Sequence, residues 1–485
     1  MFIEYDGVTM SNVKTIFNNM SWLFVSQIIA SVCGFIWTIV IARYLGVNEY
    51  GVLGFAISFS GILAITMDLG VNSHVVREIA TNYDLTPKYL GNALPLKSLF
   101  VIGTFILTLV ILILMKANQL TIIITLLFTI EMVFKTFTGL LSGSFQAYEE
   151  GKYQGIGNIL LNIILLIFIL ISIFTDLGIF GITLSYVVAN FIPLLYEYII
   201  FTKKIAKPKF EFDVDFCKTI TMFALPFALS GIFYSIYYSV DTVMLTNLVG
   251  DYATGIYSAS YKLISVLTVF YSVYTAVIYP VMSKFFKNDE KLLIIIFEKS
   301  VKYLSLIVLP IAIATMFYST DIVQLIFGVE FTNSASALSI LIWTVCLLFI
   351  NGACGTLLNA SHKEMTVTKV YFIAAIFNIV LNLFMIPHFS YDGAAISTVL
   401  SDLLILIISL CIIYKLGYRV NRKLYLDLIK IIIGSLILGV LLYFLNLNMW
   451  IALPIGIIIY FGALILLKLF DDDDKYVINE IIGKN

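Results

Sequence analysis

The segment LGVNEYGVLGFA, residues 45–56, has a counterpart in VGDYATGIYSAS, residues 249–260. Gly51 of the first segment matches Gly255 of the second at an offset of 204 residues. Each segment joins one long apolar run to the next. The chain is therefore predicted to contain two copies of one structural unit, each about 200 residues long.

The composition indicates that these units lie in a membrane. Hydrophobic residues make up 61% of the chain and charged residues only 12%. Apolar runs of about twenty residues recur, and in hydrocarbon such runs must satisfy their own backbone groups by forming helices. We predict an all-α polytopic membrane protein with about fourteen transmembrane helices. The predicted spans are 20–43, 48–72, 92–115, 119–146, 155–175, 178–202, 217–241, 252–281, 292–318, 334–358, 366–387, 391–414, 425–446 and 449–468.

The placement of positive charge predicts the orientation. With the N-terminus inside, 25 of the 29 lysines and arginines fall on the cytoplasmic side and two fall outside. Cytoplasmic loops retain such an excess, so both termini are predicted to be cytoplasmic. The first ten residues are acidic and no cleavage site follows the first apolar run, so we expect an uncleaved first helix.

Six spans separate the matched segments, and an even number gives both copies the same orientation. Parallel repeats of this kind are found in transporters, which bind substrate between two lobes. We predict an N-terminal lobe over residues 1–202, a cytoplasmic linker over 203–216, a C-terminal lobe over 217–418, and two further helices with a cytoplasmic tail over 419–485.

Several kinds of chemistry have no support in the sequence. The five cysteines lack C-x-x-C spacing, and we find no Walker A loop, no H-E-x-x-H and no G-x-S-x-G. We therefore predict no catalytic residues, no metal, no cofactor and no enzymatic activity. The lysine-rich loops are predicted to contact anionic lipid headgroups and not nucleic acid.

TLLFTIEMVFKTF, residues 125–137, places two charges in the middle of the fourth span. Glu131 and Lys135 are four residues apart, a spacing that allows an ion pair on one helix face. Thr138, Ser142 and Gln146 continue this polar stripe toward the cytoplasm. Charges at membrane depth usually face a bundle interior or water. The pair can line a cavity or serve packing alone, and we favour the cavity.

A second buried cation, Lys262, lies in the eighth span among many tyrosines. A tyrosine offers an apolar ring and a polar hydroxyl, which suits sugar faces as well as helix packing. The candidate substrate contacts here are Lys262, Tyr234, Tyr238 and Tyr261.

Further candidates are arginines and carboxylates, most of them near helix ends, whereas Asp402 is near mid-depth in span twelve. Arg43 can bind a phosphate or can cap its helix. On the inner side Arg77 and Lys97 can receive the pyrophosphate, but we interpret them mainly as cytoplasmic loop charge. Carboxylates at membrane depth can bind a proton or sodium. The candidates for ion coupling are Asp68, Asp241 and Asp402.

The stretch ARYLGVNEYGVLGFA (42–56), the DLG at 68–70 and the layout of two times six plus two spans resemble the lipid-linked oligosaccharide flippases. These Wzx-type polysaccharide transporters share a superfamily with the multidrug and toxin extrusion exporters. The resemblance covers about residues 11 to 470 and implies a V-shaped pair of lobes that works by alternating access. It also implies a polyprenyl-diphosphate sugar as substrate, with other glycan-assembly membrane proteins as candidate partners.

Two alternatives to a flippase stay open. The first is a cation-coupled multidrug exporter of the sister branch, although residues 19–44 hold no carboxylate where several such exporters carry one. The second is a membrane enzyme such as a glycan polymerase or ligase, although the predicted outside loops are short and nearly devoid of acids and arginines.

Overall fold

The computed structural model describes residues 10–209, 211–445 and 447–470, and these residues form helices and turns without any β-strand. The helices are α1 Met10–Asp68, α2 Val71–Thr81, α3 Thr86–Leu114, α4 Gln119–Ala147, α5 Gly151–Phe174, α6 Gly178–Lys204, α7 Val214–Leu248, α8 Asp251–Asn288, α9 Glu290–Phe317, α10 Ser319–Phe327, α11 Ser334–Ala360, α12 Glu364–Lys415, α13 Arg422–Leu445 and α14 Met449–Leu466. Short 3₁₀ turns at Tyr83–Leu85 and Val329–Phe331 complete the order.

Two helices are long enough to supply two consecutive spans each. Helix α1 changes direction at Gly46, whose φ of 68° is in the left-handed region that favours glycine. Helix α12 breaks at Ser390, with φ 52° and ψ −132°. Both breaks fall between spans that the sequence predicts as separate.

Ten helices of the described part are long and apolar enough to cross a membrane, and α1 and α12 are among them. Helices α7 and α9, with 35 and 28 residues, coincide with the two remaining predicted spans. The predicted all-α membrane fold is confirmed. The amphipathic helix α2 and the short α10 were not predicted.

The chain divides into two compact units, Met1–Gly255 and Ile256–Asn485. The boundary lies inside α8, whereas the sequence predicts a linker at 203–216, and that lobe boundary stays a prediction. The N-terminal unit has a core in which α2, α3, α4, α6 and α7 meet. Its fully buried members include Val75, Leu90, Phe145, Phe201 and Ile220.

The C-terminal unit is held together by polar as well as apolar contacts. The buried Lys302 of α9 lies 3.1 Å from the Oδ2 of Asp427 on α13, and it donates to the carbonyl oxygen of Leu469. Tyr460 of α14 donates to the carbonyl oxygen of Leu306 at 2.8 Å. These contacts attach α13 and α14 to α9.

The matched repeat segments contact each other within the N-terminal unit. A Cβ on Gly51 would lie 1.9 Å from the carbonyl oxygen of Asp251, and one on Gly255 would lie 2.0 Å from that of Val47. Each glycine therefore lies directly against the backbone of the other segment. This reciprocal packing explains why both copies have glycine at this position.

Candidate functional site

A polar cavity of about 360 Å³ lies in the N-terminal unit between α1, α2, α4 and α7. Small residues of α1 and α7 leave this space open, and α2 and α4 supply polar side chains. The lining residues are Ala64, Ile65, Asp68, Gly70, Asn72, Ser73, Met132, Lys135, Thr136, Ala228 and Gly231. The cavity thus brings together two residues singled out from the sequence, Asp68 and Lys135.

Lys135 is the cation on the α4 wall of this cavity. Its Nζ lies 2.9 Å from the Oε1 of Glu131, and its side chain is 49% exposed whereas that of Glu131 is 1% exposed. Asn190 of α6 donates a second hydrogen bond to the same carboxylate oxygen at 2.9 Å. The carboxylate is thus fixed between two helices, while the ammonium group stays accessible.

A second ion pair lies at the Asp68 side of the cavity. Lys97 of α3 is fully buried, and its Nζ lies 2.5 Å from Asp68 Oδ1 and 2.6 Å from Asn72 Oδ1. The backbone N–H of Asn72 also donates to Asp68. The interpretation of Lys97 as loop charge is wrong, because the residue lies inside α3 and turns its side chain into the bundle.

The two ion pairs are connected through α4. Asn72 Nδ2 lies 3.5 Å from the carbonyl oxygen of Thr136, the residue after Lys135. Asn72 therefore contacts the Asp68–Lys97 pair with its oxygen and α4 with its nitrogen. The outcome is one network of opposite charges around a cavity that can hold a small charged group.

The remaining predicted contacts do not line this cavity. Arg43 is exposed on α1, just before the Gly46 break. The part of α1 between this break and Asp68 is roughly 30 Å long. Tyr234 and Tyr238 of α7 lie side by side, with ring centroids 4.5 Å apart. The structure does not bring Arg43 together with Lys135.

Lys262 and Tyr261 belong to the C-terminal unit. Lys262 is exposed on α8, and the ring of Tyr261 stacks on that of Tyr257 at 5.9 Å. The carboxylate candidates Asp241 and Asp402 are both buried. These four residues stay predicted site residues.

Three polar residues of the N-terminal unit were not predicted from the sequence. Asn72 and Asn190 hold the two ion pairs, and Glu197 of α6 is a buried carboxylate that accepts from Ser142. A carboxylate inside the apolar span 178–202 was a visible signal. The two asparagines have no such signal in the sequence, because the contacts they make depend on which helix faces them.

Comparison with known proteins agrees with this architecture. The model of the family described as "Polysaccharide biosynthesis protein" matches residues 16–286, more than half of the chain, and the MatE model matches residues 226–384. An uncharacterized membrane protein of Methanocaldococcus jannaschii is 28% identical over 301 residues, which are 60% of this chain and 59% of that protein.

Two further relatives have names that refer to glycan assembly. The probable low-salt glycan biosynthesis flippase Agl15 of Haloferax volcanii is 24% identical, over 78% of this chain and 79% of its own. The capsular polysaccharide biosynthesis protein CapF of Staphylococcus aureus is 24% identical, over 80% of this chain and 97% of its own.

Solved structures share the fold. The lipid II flippase MurJ in an inward closed conformation superposes with a TM-score of 0.76 at 17% identity, over 92% of this chain and 98% of that chain. An inward-facing multidrug resistance MATE family transporter gives 0.66 at 14% identity, over 79% and 94%. The resemblance seen in residues 42–56 and 68–70 is confirmed, and the chain belongs to the polysaccharide biosynthesis protein family of the superfamily that also contains the MATE transporters.

Proposed function

We propose that this protein flips a lipid-linked oligosaccharide, a polyprenyl-diphosphate sugar, across the cytoplasmic membrane by alternating access. The product would serve the synthesis of a cell-surface polysaccharide or glycan. The names of the Haloferax and Staphylococcus relatives support this class of substrate. Flipping requires no covalent chemistry. It requires a hydrated site for the charged head group and hydrocarbon for the lipid tail.

The observation that carries the proposal is the accessible cation in the cavity. The half-exposed Lys135 is held by Glu131, which is itself held by Asn190. Ammonium groups form strong charge-assisted hydrogen bonds with phosphate oxygens. A diphosphate entering the cavity can therefore take Lys135, while Asn190 keeps the carboxylate in place.

The Asp68–Lys97 pair has a different part in this proposal. Lys97 is fully buried, so it cannot reach a substrate unless the helices move. Asp68, by contrast, lines the cavity. We infer that the pair fixes the Asp68 carboxylate at the cavity wall, where its oxygens can accept hydrogen bonds from the sugar hydroxyls of the head group.

The orientation and the lobes complete the proposal. We infer that both termini are cytoplasmic and that residues 1–202 and 217–418 act as the two moving lobes, with 203–216 as their linker. The linker region is rich in lysine, which favours the cytoplasmic face. Labelling of single cysteines placed in 203–216 from the outside of intact cells should fail.

The second candidate is a cation-coupled multidrug exporter, which is favoured by the MatE match over residues 226–384. A lipophilic cation would be repelled by Lys135 in the same cavity, so we prefer the anionic substrate. Deletion of the gene separates the two functions. We expect lipid-linked glycan to accumulate on the cytoplasmic leaflet with dye resistance unchanged, and the opposite result would favour the exporter.

A further inference from the structure

Glu197 is a carboxyl group that is buried within the N-terminal unit and does not line the cavity. It lies on α6, two helical turns before the helix ends at Lys204, and only 1% of the residue is exposed. Helix α4 supplies Ser142 as its partner, and α5 presents Gly157. None of the roles proposed above uses this carboxyl group.

No lysine or arginine nitrogen of the described residues lies within ion-pair distance of Glu197. Of the cations at this end of the helices, Lys204 donates to the hydroxyl of Tyr153, Lys152 lies over the ring of Trp22, and Lys203 is exposed in the last turn of α6. The other ionisable groups here are Tyr196, next to Glu197 on α6, and Glu149 and Glu150 in the α4–α5 turn. Glu131 and Lys135 lie two or more turns away along α4. An ionised carboxylate without a cation is costly at this depth.

The hydrogen bonds of Glu197 match a neutral acid. Ser142 Oγ lies 2.9 Å from Oε1 and 2.8 Å from Oε2. A serine hydroxyl carries one hydrogen, so it can donate fully to only one of the two oxygens. A protonated Glu197 supplies the second hydrogen, because its O–H donates to Ser142 while the serine donates to the other oxygen.

Helix α5 leaves room for this carboxyl group. A Cβ on Gly157 would lie 2.5 Å from Oε1 of Glu197, closer than real atoms approach. The absence of a side chain at residue 157 therefore makes the space in which the acid lies. Glu197, Ser142 and Gly157 thus form a built pocket contributed by three helices.

Polar side chains continue from this pocket toward the exposed end of α4. Gln146 lies one turn beyond Ser142 on the same face of α4, is exposed, and donates to Gln154 of α5 at 2.9 Å. Gln146 and Gln154 therefore place polar side chains between Ser142 and the exposed end of these two helices.

We propose that Glu197, Ser142 and Gly157 form a proton-binding site in the N-terminal unit. A hydronium ion gives its proton to the Glu197 carboxylate and leaves water, and the acid returns the proton to water when the pocket opens. A role in coupling transport to a proton gradient rests on the proposed flippase function, whereas the binding site itself does not.

Infrared difference spectroscopy of the purified full chain tests the site without any transport. We expect the wild type at neutral pH to show the carbonyl band of a buried, protonated carboxylic acid. Glu197→Gln should remove the band, since the amide keeps both hydrogen bonds to Ser142 but cannot titrate. Ser142→Ala should move the band to higher wavenumber, because the acid loses its partner. The exposed Glu149→Gln, in the α4–α5 turn, should leave the band unchanged. A band that survives in Glu197→Gln, or the absence of a band in the wild type, would overturn the proposal.

Transport in proteoliposomes then tests the coupling. Flipping by the wild type and by Glu149→Gln should change several-fold when the pH difference across the membrane is reversed. Glu197→Gln should flip at a rate that does not respond to this difference. A wild type that flips but ignores the pH difference would contradict coupling through Glu197. A wild type that does not flip at all would contradict the flippase proposal, and the infrared result would still decide the binding site.

Discussion

The ammonium nitrogen of Lys97 lies 2.5 Å from the carboxylate of Asp68, although the two residues are on different helices and 29 positions apart. Lys97 has no contact with solvent, so its charge depends on this partner and on Asn72. Asp68 was a candidate for ion coupling from the sequence. Because Asp68 forms an ion pair with a buried lysine, it also stabilises the fold.

Removal of either charge of this pair should destabilise the protein. Asp68→Asn leaves Lys97 buried with amide partners alone, and Lys97→Met leaves Asp68 without a cation. We expect each to lower stability by about 3–5 kcal/mol, and the double variant Asp68→Asn with Lys97→Met to recover most of the loss. Thermal unfolding in detergent measures this, with the exposed Asp84→Asn as control. Additive losses in the double variant would show that the pair is not coupled.

The reciprocal packing of Gly51 and Gly255 predicts that neither glycine tolerates a side chain. Gly51→Ala would place a methyl group 1.9 Å from the carbonyl oxygen of Asp251, so the two segments must separate. We expect a loss of about 1–3 kcal/mol. Gly61→Ala in the same helix is the matched control, because no atom lies within 4 Å of its Cβ. An unchanged unfolding temperature for Gly51→Ala would contradict the close contact.

The burial of His74 predicts that the stability of the protein depends on pH. Burial lowers the pKa of His74, the nearby Arg77 acts in the same direction, and Glu78 opposes both. The ring stacks on Phe223, with centroids 5.8 Å apart. Because the unfolded chain binds the proton more readily, the free energy of unfolding is highest above the ordinary histidine pKa. It falls by up to about 1.4 kcal/mol per pH unit as the pH drops below that value.

Thermal unfolding between pH 7.5 and pH 5 checks this dependence. His74→Phe keeps an aromatic ring but cannot bind the proton, so its unfolding temperature should decline less on acidification than that of the wild type. The exposed His362→Asn should behave like the wild type. Identical pH profiles for His74→Phe and the wild type would contradict the role of His74.

The sequence predicted local features of this fold well and long-range contacts poorly. Helix bounds follow from apolar runs and loop residues, and the Glu131–Lys135 pair follows from helical spacing alone. The contacts of Lys97 with Asp68, of Asn190 with Glu131 and of Glu197 with Ser142 depend on how each helix is rotated toward its neighbour. A single sequence contains no direct signal for that rotation when nearly every face of a span is apolar.

The central claim is that Lys135 is an accessible cation for a diphosphate and not merely a partner of Glu131. Glu131→Leu with Lys135→Met removes both charges, so no buried charge is left unpaired, and we expect this variant to fold. Lys135→Met alone should be less stable, since Glu131 keeps only Asn190. Lys135→Arg keeps the charge and should retain part of the activity.

Translocation of a labelled polyprenyl-diphosphate oligosaccharide by the purified Glu131→Leu/Lys135→Met variant in proteoliposomes tests this claim most directly. Lys152→Met, which removes an exposed lysine in the first turn of α5, serves as the control for charge loss. We predict normal thermal stability for the double variant and a roughly 10- to 100-fold slower translocation, as expected for loss of a charge-assisted hydrogen bond. Translocation at the wild-type rate by a stable double variant would contradict the claim and leave Glu131 and Lys135 as a packing pair.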